Sequence, residues 1–188
     1  MYTLQFDGLF HEVHADHGRV TNKTGFLCYG WLIYKNGKII AHGYGGFAQR
    51  NHATSNIAEY LALIEGLEAL KDMGAGNEKI KVMGDSKTVI EQMKGTASIN
   101  CPRMRKMQQR ASNLCRSLRI TDWNWIPRKQ NRQADLLTRF AMRQIRGNAL
   151  DYHNTIKTLT DNSRASRHDH HMLPLVDLRI YQPVGAFA

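Results

Sequence analysis

No stretch of the 188 residues approaches the ~20 consecutive apolar residues that a membrane-spanning helix needs, so no membrane partner is expected. The opening Met1-Tyr2-Thr3-Leu4-Gln5-Phe6 lacks the basic start and apolar run of a secretory leader. Cysteine is scarce. Cys28, Cys101 and Cys115 are odd in number and far apart, which excludes a disulfide framework and a C-x-x-C metal or redox motif. A reduced, cytoplasmic protein is the expectation. Internal repeats are missing, and so is a phosphate-cradling loop, because Gly43, Gly45 and Gly46 are not followed by a helix opening on Lys-Ser/Thr. Apolar residues are plentiful at 42%, enough for a buried core and against disorder over most of the chain.

Acidic residues are short in one place. The chain carries 26 Lys+Arg against 16 Asp+Glu, a formal charge of +10. Residues 86–146 hold 14 basic and 3 acidic side chains, whereas residues 1–85 hold 8 and 9, and residues 147–188 hold 4 of each. A surplus confined to one segment fits a polyanionic partner, nucleic acid being the commonest. No acid lies between Arg103 and Arg119. Arg103, Lys106 and Arg110 recur there at helical spacing, a candidate phosphate track; an ordinary solvated helix face is the competing reading.

Residues 3–6 alternate and meet Asp7-Gly8, which predicts a short strand ending on an acid. Residues 9–24, with His11, His14 and His17, predict a loop; their spacing is not that of H-E-x-x-H, and a solvated loop is favoured over a zinc site. Two strand-like runs flank Asn36-Gly37, a hairpin signal because both turn residues tolerate positive φ. Ile57, Tyr60, Leu61, Ile64, Leu67 and Leu70 then follow helical spacing. Residues 80–84 predict a strand ending at Asp85, and Ser86 opens a helix carrying Val89, Ile90 and Met93. Pro102 suits the first turn of a further helix striped with Met104, Met107, Ala111, Leu114, Cys115 and Leu118. Residues 120–126 predict a fifth strand with Trp123 and Trp125 on one face, and Asn131 is placed to cap a final helix through Ile145. The order βββ-α-β-α-α-β-α describes a mixed α/β layer fold. Residues 1–146 form the predicted folded domain and 147–188 a C-terminal extension of unknown order. The extension holds His168, His170 and His171, read as polar tail, and an edge strand or docking segment at 173–180.

Four acids stand where acids are uncomfortable without a purpose. Asp7 and Asp85 close the first and fourth strands, while Glu59 and Asp135 sit in the expected first turns of two helices. If the two strands are neighbours, four carboxylates converge, and like charges at a few ångströms cannot all ionise without cations. Oxygen-only ligands suit Mg2+ or Mn2+, and two such ions ~3.5–4 Å apart make a phosphoryl-transfer site. Taken singly, each acid also fits the bland preference of helix N-termini for Asp and Glu.

Phe6-Asp7-Gly8, Thr54-Ser55-Asn56-Ile57-Ala58-Glu59, Gly84-Asp85-Ser86 with Val89-Ile90, and Trp125-Ile126-Pro127-Arg128 with Asn131 and Ala134-Asp135 resemble the successive motifs of type 1 ribonuclease H. The resemblance runs in order over residues 1–145. It implies a ribonuclease H-like α/β fold, a five-stranded mixed sheet with three antiparallel strands first, flanked by helices. It also implies metal-dependent hydrolysis of the RNA strand of an RNA–DNA hybrid with two Mg2+ or Mn2+ ions, leaving 5′-phosphate and 3′-hydroxyl ends. On this resemblance Asp7, Glu59, Asp85 and Asp135 are the catalytic, metal-binding carboxylates. Thr54 matches a position that holds a DNA-strand phosphate, and Asn56 one that contacts the minor groove; an amide both donates to and accepts from base edges and the 2′-OH. Ser55 stands where the family usually has asparagine. Many bacterial members carry a histidine before the last aspartate, but residues 126–134 hold none, and Arg128 or Lys129 takes its place as in short-loop members. A permanent cation there holds phosphate but shuttles no protons. Leu9-Phe10 replaces the usual small, Gly-rich loop after the first aspartate, and the Trp-rich basic handle is missing. The alternative reading is a catalytically weak nucleic-acid-binding module of the same fold. A proofreading-type exonuclease is disfavoured because Leu9 stands where it needs an acid.

Overall fold

The computed structural model describes residues 1–13, 23–160 and 172–176. Three long strands come first: β1 (Tyr2–Glu12), β2 (Gly25–Lys35) and β3 (Lys38–Gln49), paired antiparallel in sequence order. The β2–β3 hairpin turns at Asn36 and Gly37, with φ of 51° and 79°, the left-handed values that this dipeptide accepts at low cost. Helix α1 (Ser55–Asp72) follows, then β4 (Ile80–Gly84), α2 (Lys87–Lys94), α3 (Pro102–Cys115), β5 (Ile120–Trp125) and α4 (Arg132–Gly147). This is the predicted order through residue 147. Beyond it lie α5 (Ala149–Thr160) and β6 (Met172–Val176).

The sheet order is β5-β4-β1-β2-β3-β6, with β4 parallel to both β1 and β5. Period-2 alternation along β2 feeds two cores. Leu27, Tyr29, Trp31 and Ile33 face the larger core with α1 and α3, whereas Phe26 and Cys28 face the smaller one with α4 and α5. The apolar stripe of α3 packs as its spacing predicts: Ala111 is buried, and Met104, Met107, Leu114 and Cys115 lie against the larger core. Trp123 also packs on that core, but Trp125 is 50% exposed.

Two expectations are corrected. Strand β1 does not end at Asp7-Gly8; residues 9–12 continue the ladder opposite residues 25–28. Leu9 and Phe10 have a core to bury against on either face of the sheet, so extending the strand gains both hydrogen bonds and apolar burial. His11 is therefore a strand residue, stacked on Phe26 and beside Arg146, while His14, His17 and the histidines at 168–171 lie outside the described residues. The sheet also has six strands, not five, because β6 pairs antiparallel with β3 through Leu173 opposite Ala48 and Met172 opposite Gln49. An open strand edge offers unpaired N–H and C=O groups, and a C-terminal segment within reach takes them up. The edge strand expected at 173–180 is thus found at 172–176, and 177–180 lie outside the described residues. Helix α5 packs on the smaller core, with Tyr152 stacked on Phe26 at 5.3 Å and Arg50 Nε donating to the Leu159 carbonyl at 3.2 Å. Among the described residues no helix is long and apolar enough to cross a membrane.

Candidate active site

Parallel pairing of β1 and β4 sets Phe6 opposite Gly84, so Asp7 and Asp85 are adjacent and level. Asp7 lies mid-strand, 4% exposed, rather than at a strand end. Gly8 is not a turn residue either. A Cβ there would stand 2.2 Å from the Glu59 nitrogen and 2.3 Å from the Ala58 carbonyl carbon, so glycine is what lets α1 cross β1 at contact distance. That crossing delivers Glu59, which is the fifth residue of α1 and hence in its second turn, not the first. Ligand oxygens of Asp7, Glu59 and Asp85 all lie within 4.8 Å of one another.

The electrostatic consequence is large. Burial first, then the charges of Asp85 and Asp135, push the Asp7 carboxyl up to about 7. Burial, followed by Asp7 and Asp85, drives Glu59 well above the usual carboxylate range, with the Gly8 N–H and Arg128 opposing weakly. Glu59 Oε2 is buried and accepts no hydrogen bond. An unpartnered buried carboxylate oxygen inside an all-oxygen donor set fits a hard divalent cation, which would supply the charge these acids lack.

Asp85 is held from two directions. Its backbone carbonyl accepts from Trp125 Nε1 at 3.0 Å, and its Oδ1 accepts from Asn131 Nδ2 at 2.7 Å. Asn131 Nδ2 also donates to the Phe6 carbonyl at 2.8 Å. The expected side-chain cap of α4 by Asn131 is therefore not made. The residue is fully buried, and its amide is drawn between two acceptors with no solvent to compete. An asparagine before a helix reads as a cap in sequence, so this anchoring role carries no separate local signal; Trp125 likewise reads as part of a packed strand face, with a base-stacking surface as the alternative, and not as a partner of Asp85.

Asp135 does occupy the first turn of α4, but it lies beside the group of three rather than within it. Arg128 Nη2 reaches its Oδ1 at 2.5 Å and Arg139 Nε its Oδ2 at 2.7 Å. Burial alone would raise this carboxyl; the hydrogen bonds from Arg139 and Arg128 outweigh it and hold Asp135 below its ordinary range.

Of the other sequence candidates, Thr54 is the N-cap of α1, its Oγ1 accepting from the Ile57 N–H at 3.3 Å. Ser55 is exposed and Asn56 half-buried on the same helix start, one turn from Glu59, and Lys129 is exposed beside Arg128. Arg103, Lys106 and Arg110 rim a groove of about 590 Å³ between α3 and α1, floored by Leu61, Ile64 and Met107. Arg110 is already paired with Glu68 at 2.5 Å, so its charge is partly spent within the protein.

Residues 18–141 match the sequence pattern of the family described as reverse transcriptase-like. Ribonuclease HI of Halobacterium salinarum is 37% identical over 135 residues, 70% of this chain and 64% of that protein. The crystal structure of the Halobacterium salinarum ribonuclease H superposes with a TM-score of 0.62 at 31% identity, covering 76% of this chain and 98% of that one. The chain belongs to the type 1 ribonuclease H family. A second ribonuclease H, the N-terminal domain of a bifunctional protein from Mycobacterium tuberculosis, superposes with a TM-score of 0.63 at 26% identity over 79% of this chain and 99% of that domain. In sequence the same mycobacterial protein is 39% identical over 90 residues, 48% of this chain but only 24% of its own length. This chain thus spans about a quarter of that relative and under two thirds of the halobacterial one. A more distant ribonuclease H, solved in complex with an RNA/DNA hybrid, shares the fold at 23% identity and a TM-score of 0.62.

Proposed function

We propose that this ribonuclease H is an endoribonuclease that hydrolyses the RNA strand of RNA–DNA hybrids. Residues 1–146 are the catalytic unit, and 147–188 extend it. The observation that carries the reading is the convergence of buried Asp7 and Glu59 with half-buried Asp85, Glu59 Oε2 being unpartnered, a set of oxygens that is costly to gather there without divalent cations. Asp7, Glu59, Asp85 and, through the oxygen that Arg128 now occupies, Asp135 would hold two Mg2+ or Mn2+ ions. Bound there, such ions supply positive charge to ready a water for in-line attack and to steady the leaving oxygen, giving 5′-phosphate and 3′-hydroxyl ends. Asn131 and the Trp125 indole keep Asp85 aligned. Thr54, Ser55 and Asn56, together on the start of α1, take the hybrid's phosphate and minor-groove contacts, and Arg128 and Lys129 face the phosphates on the other side. Arg103 and Lys106 extend the basic track. Support for the substrate comes from the related enzyme solved with a hybrid, and the three free cysteines suit the reducing cytoplasm.

Cleavage of a labelled RNA–DNA hybrid with Mg2+ or Mn2+, comparing wild type with Asp85→Asn, tests this. Metal-dependent cutting that Asp85→Asn loses is expected. Equal cutting by both, or no metal-dependent cutting by the wild type, overturns this enzymatic reading, and the second result returns the chain to the alternative of a binding module. In the same preparation, Arg103→Glu with Lys106→Glu should flatten the salt dependence of hybrid binding by about two phosphate contacts.

A further inference from the structure

Each oxygen of Asp135 is occupied by a different arginine, and the two arginines are not equivalent. Arg139 sits one helical turn after Asp135 on α4, a spacing that the helix itself maintains. Arg128 comes from the 3-10 turn at Arg128–Gln130, outside the helix, and its side chain is 64% exposed. Its charge is also felt at Asp7, Glu59 and Asp85, so one exposed guanidinium serves all four acids. A planar fork of N–H donors fits a carboxylate and a phosphate equally well.

We propose that Arg128 is an exchangeable counter-ion. It neutralises Asp135 while the site lacks divalent ions, gives up Oδ1 when they are bound, and turns the freed guanidinium to a phosphate oxygen of the hybrid. Arg139 keeps Oδ2 throughout and fixes the carboxylate's orientation. Arg128 is on this view a positioning residue acting in opposite senses on two ligands: it competes with the ions and assists the nucleic acid. The second half rests on the ribonuclease reading above; the first half does not.

Arg128→Gln and Arg128→Lys in the full chain test it, with Mn2+ binding followed by the free-ion signal in electron paramagnetic resonance, without nucleic acid. Binding to a hybrid whose RNA strand is 2′-O-methylated, and so uncuttable, is measured separately. Because the Arg128 end of the pair is largely solvent-exposed, which screens it, Arg128→Gln should bind Mn2+ about two- to fivefold more tightly and the hybrid more weakly by a similar factor. Arg128→Lys keeps the charge without the fork and should restore ion competition more fully than hybrid affinity. A structural role alone would move neither affinity in opposite directions. Mn2+ affinity that is unchanged or lower in Arg128→Gln overturns the counter-ion role, and hybrid affinity that is unchanged overturns the transfer to phosphate. A wild type that binds Mn2+ but neither binds nor cuts hybrid overturns the ribonuclease reading and the phosphate half together, and leaves the Mn2+ comparison to decide the rest.

Discussion

Replacing Asn131 with alanine should separate anchoring of the site from simple helix capping. The side chain is fully buried and its Nδ2 donates at 2.8 Å to the Phe6 carbonyl and at 2.7 Å to Asp85 Oδ1. Truncation removes a hydrogen bond to a carboxylate, worth about 1.5–3 kcal/mol, and strands a buried carbonyl at a cost of about 1–3 kcal/mol. The two losses share one donor group and do not simply add, so about 2–4 kcal/mol in total is expected. Loss of a cap alone would cost about 1 kcal/mol. For a chain of this size the larger figure lowers Tm by about 5–15 °C. Urea unfolding followed by circular dichroism should show a lower midpoint with an unchanged slope. A double-mutant cycle with Asp85→Ala then isolates the Asn131–Asp85 bond and should give a coupling of at least about 1 kcal/mol. A loss under about 0.5 kcal/mol for Asn131→Ala, or no coupling to Asp85, would refute the anchoring argument.

Further outcomes follow from the same geometry. Asp7 is raised in the fold to about 7 from an ordinary 3.8, so in metal-free buffer the folded chain retains a proton that the unfolded chain has lost. Stability should therefore fall as pH rises from about 4 to about 7, an effect that Asp7→Asn reduces and added Mn2+ suppresses. Tm measured across that range in chelator checks it, and an identical slope in Asp7→Asn would contradict it. Gly8→Ala places a methyl 2.2 Å from the Glu59 nitrogen, backbone that cannot yield without moving α1. A destabilisation of about 3 kcal/mol or more is expected, with loss of Mn2+ binding in whatever fraction folds; a variant of wild-type stability would mean that α1 does not need this close approach.

The element order through α4 was legible in the sequence because each element rests on local chemistry: a 3.6-residue period in α1 and α3, a two-residue turn at Asn36-Gly37, a proline in the first turn of α3. The four acids were legible for a different reason, as short motifs that keep their order along the chain. Where the reading failed, a non-local partner decided. Asp7-Gly8 looks like a strand end until β2 supplies ladder partners for the residues beyond it, and Gly8 looks like a turn until α1 lies across it. Likewise residues 172–176 become a strand only because β3 presents an edge to them.

By itself, then, the sequence determined the α/β class and the placement of the positive charge, and it marked out the four candidate carboxylates, since composition, period and motif are properties of the chain alone. Tertiary structure decided which carboxylates meet and what holds them. It brought Asp7, Glu59 and Asp85 within 4.8 Å, drew the buried Asn131 amide away from its helix to Asp85, and set Asp135 apart between Arg128 and Arg139. Those outcomes turn on burial and on distances between residues far apart in the chain. The energy of a charge depends on its surroundings as much as on its identity, and only the fold supplies the surroundings.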